Sequence, residues 1–382
     1  MVERVLFPFR GSQIGGSHVA TFTLARALQQ AGIECVVICP DGTMIMDEAK
    51  KAGLRVVSSG ETPTGRNNPI TDFSRVSARR RVLEGEFRES CVMHCNDINS
   101  LRAWGLPARL SGIGVVYHHH ALNRLWWPPH LLSLGYANEV LCISDVTMNA
   151  IKAWRSNPVK ELNPFELDPN YDRDTARQAL LHEFGWRPDA RIIGWIGNFW
   201  ARKRPDFFLR VAAELYRRDP KCRFIMFGRD GDFSVAEVKQ MAIEYAVDEV
   251  TAVPGFRLPV ETNLAPLDLL LAPAPTEPFG RALVEAIILS TPVVATRGAG
   301  HSEIIGAWGG GLLSNETDTP AEAASLCLEV LAEPDRYRLS DAARHALAED
   351  VTPQAHARRV LSVYERAART PHQAPERVRA AH

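Results

Sequence analysis

The sequence predicts an α/β protein made of two successive doubly wound parallel sheets. Three observations predict it. Short β-branched runs alternate with amphipathic helical runs through the first half, a turn-rich break follows, and the same alternation restarts and continues through the second half. A length of 382 residues suits two domains with sizeable cores.

The first strand is Val5-Leu6-Phe7. A glycine loop, Gly11 to His18, leads into an amphipathic helix over Val19 to Gln30 that stops at Gly32. Strands follow at Cys35–Cys39, Leu54–Val57, Cys91–His94, Val115–Tyr117 and Val140–Ile143. Asn157-Pro158, Asn163-Pro164 and Asp168-Pro169-Asn170 make the break. Arg191 to Ile196 restarts the pattern as a strand, with a loop from Gly197 to Pro205, a helix over Asp206 to Tyr216, and a strand from Arg223 to Phe227 ending at Gly228-Arg229-Asp230-Gly231. Leu267 to Ala272, with Asp268 inside it, and Pro292 to Ala295 read as further strands; Gln354 to Arg369 reads as a last helix.

Hydrophobic residues make up 46% of the chain and charged residues 23%, ordinary for a globular enzyme. A formal net charge of −1 argues against a general nucleic-acid binder. No stretch approaches the about 18 consecutive apolar residues of a membrane span. The N-terminal run is interrupted too soon for a signal peptide, so a cytoplasmic location is expected. Cys35, Cys39, Cys91, Cys95 and Cys142 fall in buried strands, where a thiol behaves as a small apolar group. Cys35-x3-Cys39 and Cys91-x3-Cys95, with His94, lack the tight turn spacing of zinc knuckles, and no metal is expected.

The most informative stretch is Thr276-Glu277-Pro278-Phe279-Gly280-Arg281-Ala282-Leu283-Val284-Glu285. Two carboxylates stand eight residues apart, one in a proline-rich loop after a strand and one in the second turn of the next helix. Such a helix N-terminus suits a phosphate. The acids cannot ligate that phosphate, but they can accept hydrogen bonds from hydroxyls on either side of it. Hydroxyls flanking a diphosphate describe a nucleotide sugar. Spacing alone admits a second reading, in which the two acids only cap and solvate the element.

The segment from Glu277 to Thr296, continuing through Gly298-Ala299-Gly300-His301-Ser302-Glu303, resembles the donor-site signature of retaining family 4 glycosyltransferases of the GT-B fold. Glu277 and Glu285 match the two glutamates of that family's E-x7-E motif, and Phe279-Gly280 its central dipeptide. Gly15 and Gly16 match the glycine loop that touches the donor diphosphate. Gly197 to Arg204 matches the loop in which an arginine and a lysine grip it. Lys203 stands at the lysine position; Asn198 stands where the arginine belongs, and a neutral amide cannot replace a fixed cation. Arg202, Arg204 and Arg281 are the candidates to supply that charge. Val115-Val116-Tyr117-His118-His119-His120 matches the strand that ends in histidine, with His120 at the family's position, His118 on its face and His119 on the other.

The resemblance implies GT-B architecture, two Rossmann-like parallel-sheet domains facing a central cleft. Residues 1–165 with a crossing C-terminal helix at 354–369 would bind the acceptor, 166–353 the donor, and 370–382 would form a flexible tail. It implies a retaining, metal-independent transfer of sugar from a UDP- or GDP-linked donor to a hydroxyl of a glycan or lipid-linked acceptor, with no cofactor. Glu277, Lys203 and His120 would be catalytic; Gly15, Gly16, Asn198, Lys203, Phe279, Gly280, Arg281 and Glu285 would bind the donor. Asp97, Trp126 and Trp127 are placed on the acceptor side. The apolar patch Leu125 to Leu132 admits either loop packing or contact with a hydrophobic acceptor or the inner face of a membrane. Arg79-Arg80-Arg81, in a helix of the same half, is expected to be a solvated face, with anionic lipid as the sharper alternative. A nucleotide-sugar-binding protein without turnover and a sugar-nucleotide epimerase are the competing functions.

Overall fold

The computed structural model describes residues 2–12, 14–63, 69–86, 91–122, 127–151 and 157–369. Trp126 and residues 370–382 lie outside them. The chain divides into two compact units, Met1–Glu166 with Val351–His382, and Leu167–Asp350.

The first unit runs β1 (Arg4–Pro8), α1 (Gly16–Gln30), β2 (Glu34–Cys39), α2 (Met44–Lys51), β3 (Arg55–Ser58), α3 (Pro69–Ser74), α4 (Val76–Glu86), β4 (Cys91–Cys95), α5 (Ile98–Leu110), β5 (Gly114–His119), α6 (Pro128–Leu134), β6 (Glu139–Cys142), α7 (Asp145–Ile151) and β7 (Val159–Lys160). Its strands are parallel in the order β3-β2-β1-β4-β5-β6-β7. The order reverses between β1 and β4, so the chain leaves β1 toward α1 on one face of the sheet and leaves β4 toward α5 on the other, the arrangement at which open α/β sheets bind ligands. Successive strand residues point to opposite faces. Phe7, Val92 and Val116 join one core with Leu24 and Leu28 of α1, while Leu6, Met93, Val115 and Tyr117 join another with Leu101 and Trp104 of α5.

The second unit runs α8 (Arg173–Glu183), β8 (Arg191–Ile196), α9 (Pro205–Arg218), β9 (Cys222–Phe227), α10 (Val235–Glu244), β10 (Thr251–Ala252), α11 (Glu261–Leu264), β11 (Leu269–Ala272), α12 (Arg281–Ile288), β12 (Val293–Thr296), α13 (Ala299–Trp308), β13 (Gly311–Ser314), α14 (Pro320–Ala332), α15 (Pro334–Tyr337) and α16 (Asp341–Asp350). Its parallel order is β10-β9-β8-β11-β12-β13, reversing between β8 and β11. The strands are buried on both faces, so Leu269-Leu270-Leu271 reads as one apolar run rather than an alternation.

The chain then returns to the first unit as α17 (Pro353–Arg369). Ala357, Val360, Val363, Tyr364 and Ala367 recur at helical spacing and are buried in the same core as Phe7 and Leu24. The Tyr364 hydroxyl lies 2.7 Å from Nδ1 of His94 on β4, and Glu161 receives His356 Nδ1 at 2.8 Å and Arg359 Nε at 2.9 Å.

Several elements depart from the sequence expectation. α1 begins at Gly16 rather than Val19, because His18 Nδ1 accepts from the Gly15 amide at 3.2 Å and closes the first turn. The strand expected from Leu267 starts at Leu269; Asp268 instead accepts from the Ile192 amide at 2.7 Å and from Arg177 at 2.9 Å. The break holds a short strand, β7, whose two residues carry no periodicity.

The expected solvated face of Arg79-Arg80-Arg81 is corrected at its first member. Arg80 pairs with Glu84 near the surface and Arg81 is exposed, but Arg79 has a side chain only 1% exposed. It donates twice to Glu61, at 2.7 and 3.0 Å, and to Asp72 at 3.2 Å and the Ala103 carbonyl at 2.9 Å. Three consecutive arginines on a helix point in three directions, and one of them faces the core. Arg79→Met is therefore expected to cost about 3 kcal/mol, the scale of breaking a buried ion pair. A solvated arginine would change stability by less than about 0.5 kcal/mol. Urea denaturation midpoints distinguish the two.

Candidate functional site

In the second unit the two strands that flank the reversal of order each supply a charged loop. β8 ends at Ile196 and passes through Gly197 to a single 3-10 turn, Ala201–Lys203. β11 ends at Ala272 and passes through a proline loop to α12. The loops meet: Glu277 lies 3.1 Å from Lys203 Nζ and 3.0 Å from Arg202 NH1. Gly197 permits the approach. Its φ is +151°, and a Cβ there would stand 2.8 Å from Lys203 Cδ. On the other side of Glu277, its carbonyl accepts from the Gly300 amide at 2.9 Å, which ties in the start of α13.

The two glutamates sit in different electrostatic surroundings. Burial pushes the Glu277 carboxyl up, but Lys203 and Arg202 outweigh it and hold the group below its ordinary range. Burial dominates at Glu285, whose pKa is raised despite Arg281 at 3.3 Å. Three cations, Lys203, Arg202 and Arg281, thus stand with two acids around the first turns of α12. Phe279 is buried beneath the turn, and Gly280 takes φ +102° at the helix entry, where a Cβ would meet His301 at 2.8 Å. His301 is itself buried and neutral, its pKa pushed down to about 4 by desolvation against the pull of Glu277. The sequence reading named the loop of His301 but gave the residue no role; only its position under Glu277 distinguishes it.

Asn198, at the expected arginine position, is half-buried in the β8 loop, and Arg202 is the guanidinium that reaches Glu277. Arg281 holds Glu285, and Arg204 lies over the Phe207 ring at 4.0 Å. The Gly228–Gly231 turn packs beside this loop, with Asp230 accepting from the Val235 amide at 2.8 Å.

In the first unit Gly15 and Gly16 form the entry to α1 after β1. Asp97 caps α5, accepting from the Asn99 and Ser100 amides at 2.8 and 2.9 Å. His118 and His120 share a face with ring centroids 4.2 Å apart, while His119 turns to the Tyr117 hydroxyl at 2.7 Å. The alternation expected from strand geometry is present. His118 stands 5.3 Å from His94, whose burial lowers its pKa to about 3. Nε2 of His94, His118 and His120 and both amide atoms of Asn96 are buried without a hydrogen-bond partner. The sequence pattern sets His94 only beside the two cysteines of its own strand and gives Asn96 no role, since one strand's end says nothing of its neighbours. Trp127 is half-buried, 4.6 Å from His130 and over Arg102 at 5.3 Å.

A cavity of about 360 Å³ lies elsewhere, at the carboxyl end of α12, lined by residues including Tyr171, Arg173 and Arg344. Its arginines are engaged: Arg173 donates to the Leu289 carbonyl at 3.2 Å and Arg344 to that of Ile288 at 3.2 Å. It is a helix-end clasp, separate from the charged loops. Among the described residues no group of three His, Cys, Asp or Glu side chains is arranged to hold a metal, and no helix is long and apolar enough to cross a membrane.

Two family models match the chain, one described as Glycosyltransferase Family 4 over residues 14–160 and one as Glycosyl transferases group 1 over residues 190–333. The second takes in both charged loops and the whole of α12. The chain belongs to the group 1, family 4 glycosyltransferases of the GT-B fold. Among this family it is 29% identical over 197 residues to D-inositol 3-phosphate glycosyltransferase 2 of Catenulispora acidiphila, covering 47% of this chain and 45% of that protein. The chain thus spans a little under half the length of that relative. It is 24% identical to alpha-D-kanosaminyltransferase of Streptomyces kanamyceticus over 75% of this chain and 78% of the relative. The Anabaena protein HepE, crystallised with UDP and glucose, superposes with a TM-score of 0.79 at 16% identity, covering 95% of this chain and 99% of HepE. That likeness shows the family's fold.

The buried imidazoles fix the sign of a pH dependence. His94, His119 and His301 have folded pKa values of about 3, 4 and 4, against 6.5 unfolded. Between these limits the unfolded chain binds more protons than the folded one, so stability falls as pH falls. Each group contributes up to about 1.4 kcal/mol per pH unit across its window. Urea midpoints should fall steadily from pH 7 to pH 4.5, and His94→Asn should flatten that slope.

Proposed function

We propose that this glycosyltransferase moves a sugar from a nucleoside diphosphate donor, UDP- or GDP-linked, to an acceptor hydroxyl with retention at the anomeric carbon. One observation carries the reading: Lys203 and Arg202 converge on Glu277 beside the first turn of α12, with Glu285 in the second turn of that helix. An arriving diphosphate competes with Glu277 for these cations and meets the positive end of the helix. Glu277 then turns to a hydroxyl of the donor sugar and Glu285 to the ribose diol. Glu285 carries its raised pKa in a nearly dry place, where a pair of hydroxyl donors stabilises the ionised form.

The chemical work is electrostatic. As the sugar–phosphate bond breaks, negative charge grows on the diphosphate, and Lys203, Arg202 and the α12 N-terminus are already aimed at it. Arg202 does the work expected of an arginine at the place of Asn198. A neutral Asn198 is what a nucleotide-sugar-binding protein without turnover would carry, and the reach of Arg202 to Glu277 speaks against that alternative. The family resemblance implies a front-face reaction in which the departing phosphate oxygen takes the acceptor proton. The first unit is assigned the acceptor, with His120 placing the transferred sugar. No metal or cofactor is required by this scheme.

Lys203→Ala is expected to lower donor turnover about 100-fold, the scale of losing one preorganised charge stabiliser. Arg202→Ala should cost about tenfold, while Arg204→Ala should leave turnover within about twofold. Steady-state assays with a panel of UDP and GDP sugars give these values. UDP at 100 times its Kd should stabilise the chain by about 2.7 kcal/mol, visible as a rise in melting temperature. Activity should persist in EDTA. Conversion of donor without any acceptor into an epimeric nucleotide sugar, or binding with no turnover on any acceptor, would overturn the transferase reading.

A further inference from the structure

A polar atom beside the charged loops of the second unit has no part in the scheme above. It is Nε2 of His301, in the first turn of α13. β12 ends at Thr296, and the chain passes through Gly298 into that helix. The turn is pressed onto the β11 loop. A Cβ on Gly298 would stand 2.3 Å from the Pro275 carbonyl oxygen, and one on Gly300 would stand 2.2 Å from that of Phe279. The Gly300 amide also donates to the Glu277 carbonyl at 2.9 Å, so the residue that follows it is held against the loop that carries Glu277.

Local bonding fixes the state of the ring. Nδ1 of His301 lies 3.3 Å from the Thr296 carbonyl, which can only accept, so Nδ1 carries the proton. Desolvation pushes the imidazole pKa down to about 4, which leaves the ring neutral and Nε2 with a bare lone pair. Among the described residues no group donates to that lone pair. Nε2 of His94, His118, His119 and His120 also lacks a partner, but those four atoms are sealed from solvent. His301 is 2% exposed, and its Nε2 is not one of the sealed atoms. The ring edge that bears it faces the entry of α12: a Cβ on Gly280 would stand 2.8 Å from Cδ2 and 3.4 Å from Nε2. Glu277 and Lys203 both lie near enough to act on the ring. A histidine that served only to fill the core would explain Nδ1 and not Nε2, since an apolar side chain packs there without stranding an acceptor.

We propose that Nε2 of His301 accepts a hydrogen bond from a hydroxyl of the donor sugar, beside the hydroxyl taken by Glu277, and so selects among sugars. This deepens the transferase reading and rests on it for the sugar at Glu277. Two acceptors set side by side suit two neighbouring hydroxyls, each of which can donate. A sugar that lacks the second hydroxyl, or carries it on the other face of its ring, leaves the lone pair unmatched in a nearly dry place. A site built around a hydrogen bond rejects such an analogue far better than shape alone would. A neutral acceptor offers nothing to a diphosphate, so the contact acts on the sugar and not on the bare nucleotide.

The test compares bare nucleotides with nucleotide sugars on the full chain. Calorimetric titration gives the Kd of UDP and GDP, and of UDP-glucose, UDP-galactose, UDP-N-acetylglucosamine and GDP-mannose. In wild type at least one sugar should bind more tightly than its own nucleotide. His301→Asn keeps an amide N–H near the place of Nδ1, for Thr296, and puts nothing at the place of Nε2. It should lose about tenfold of that gain, the weight of one hydrogen bond, with the nucleotide itself little changed. His301→Gln puts an amide oxygen near the place of Nε2 and should stay within about threefold of wild type. A role limited to the Thr296 bond would reverse that order. Monodeoxy analogues of the best sugar complete a cycle: one of them should bind wild type about tenfold more weakly than the parent sugar and bind His301→Asn as the parent does. Circular dichroism checks that each variant is folded, and His301→Leu takes the place of His301→Asn if the latter is not. The proposal is overturned if no sugar adds to the affinity of its nucleotide, if folded His301→Asn keeps the whole gain, or if every deoxy analogue weakens the variant as much as wild type. Absence of any UDP or GDP binding sinks the donor reading, and this contact with it.

Discussion

The second unit depends on keeping a carboxylate ionised where water is scarce. The Glu277 side chain is 14% exposed, and burial alone would push it toward the neutral acid. Lys203 and Arg202 reverse that balance, and they reach it because the chain after β8 has no side chain at Gly197 to block the lysine stem. The ion cluster holds the β8 loop against the β11 loop. It stores paired charge at a place where a diphosphate can take over one side of each pair. A neutral residue at 277 would leave two cations without their acid.

The helix that follows is held at both ends by charge. Its first turn carries Arg281 and, one turn on, Glu285; its last carbonyls are covered by arginines. Arg173 donates to Leu289 and Ser290, Arg344 to Ile288, and Arg338 to Ser290 at 3.1 Å. Those carbonyls form the negative end of the helix dipole and have no partner within the helix. Guanidinium groups from α8, α16 and the stretch between α15 and α16 thus fix an eight-residue helix too short to be stable alone. Placement of Glu285 depends on arginines a full helix length away.

Much of this was legible in the sequence. Alternating strands and helices, the break, and the last amphipathic helix were readable because parallel strands buried on both faces are continuous apolar runs and helices bury one stripe. The acids at 277 and 285 and the lysine at 203 were readable because they lie in long composite patterns. What stayed hidden was partnership. Nothing in the order of residues says that Arg79 turns inward while Arg81 does not, that Asp72 gathers three arginines from separate segments, or that Asn96 ends beside a histidine stack. Each depends on which loops the sheet order brings together, and two-residue strands such as β7 and β10 are fixed by neighbours rather than by their own pattern. Arg202 shows the limit well: its proximity to the expected lysine was visible, but its reach to Glu277 came from the 3-10 turn between them.

Because α17 completes the core around Phe7, Leu24 and Val116, the first unit is discontinuous along the chain. Its closing piece is synthesised only after all of residues 167–350. On the ribosome the opening strands and helices must therefore wait, with an apolar groove uncovered, while the intervening unit emerges and folds. The later unit is contiguous and can settle first, so the order of maturation runs opposite to the order of translation.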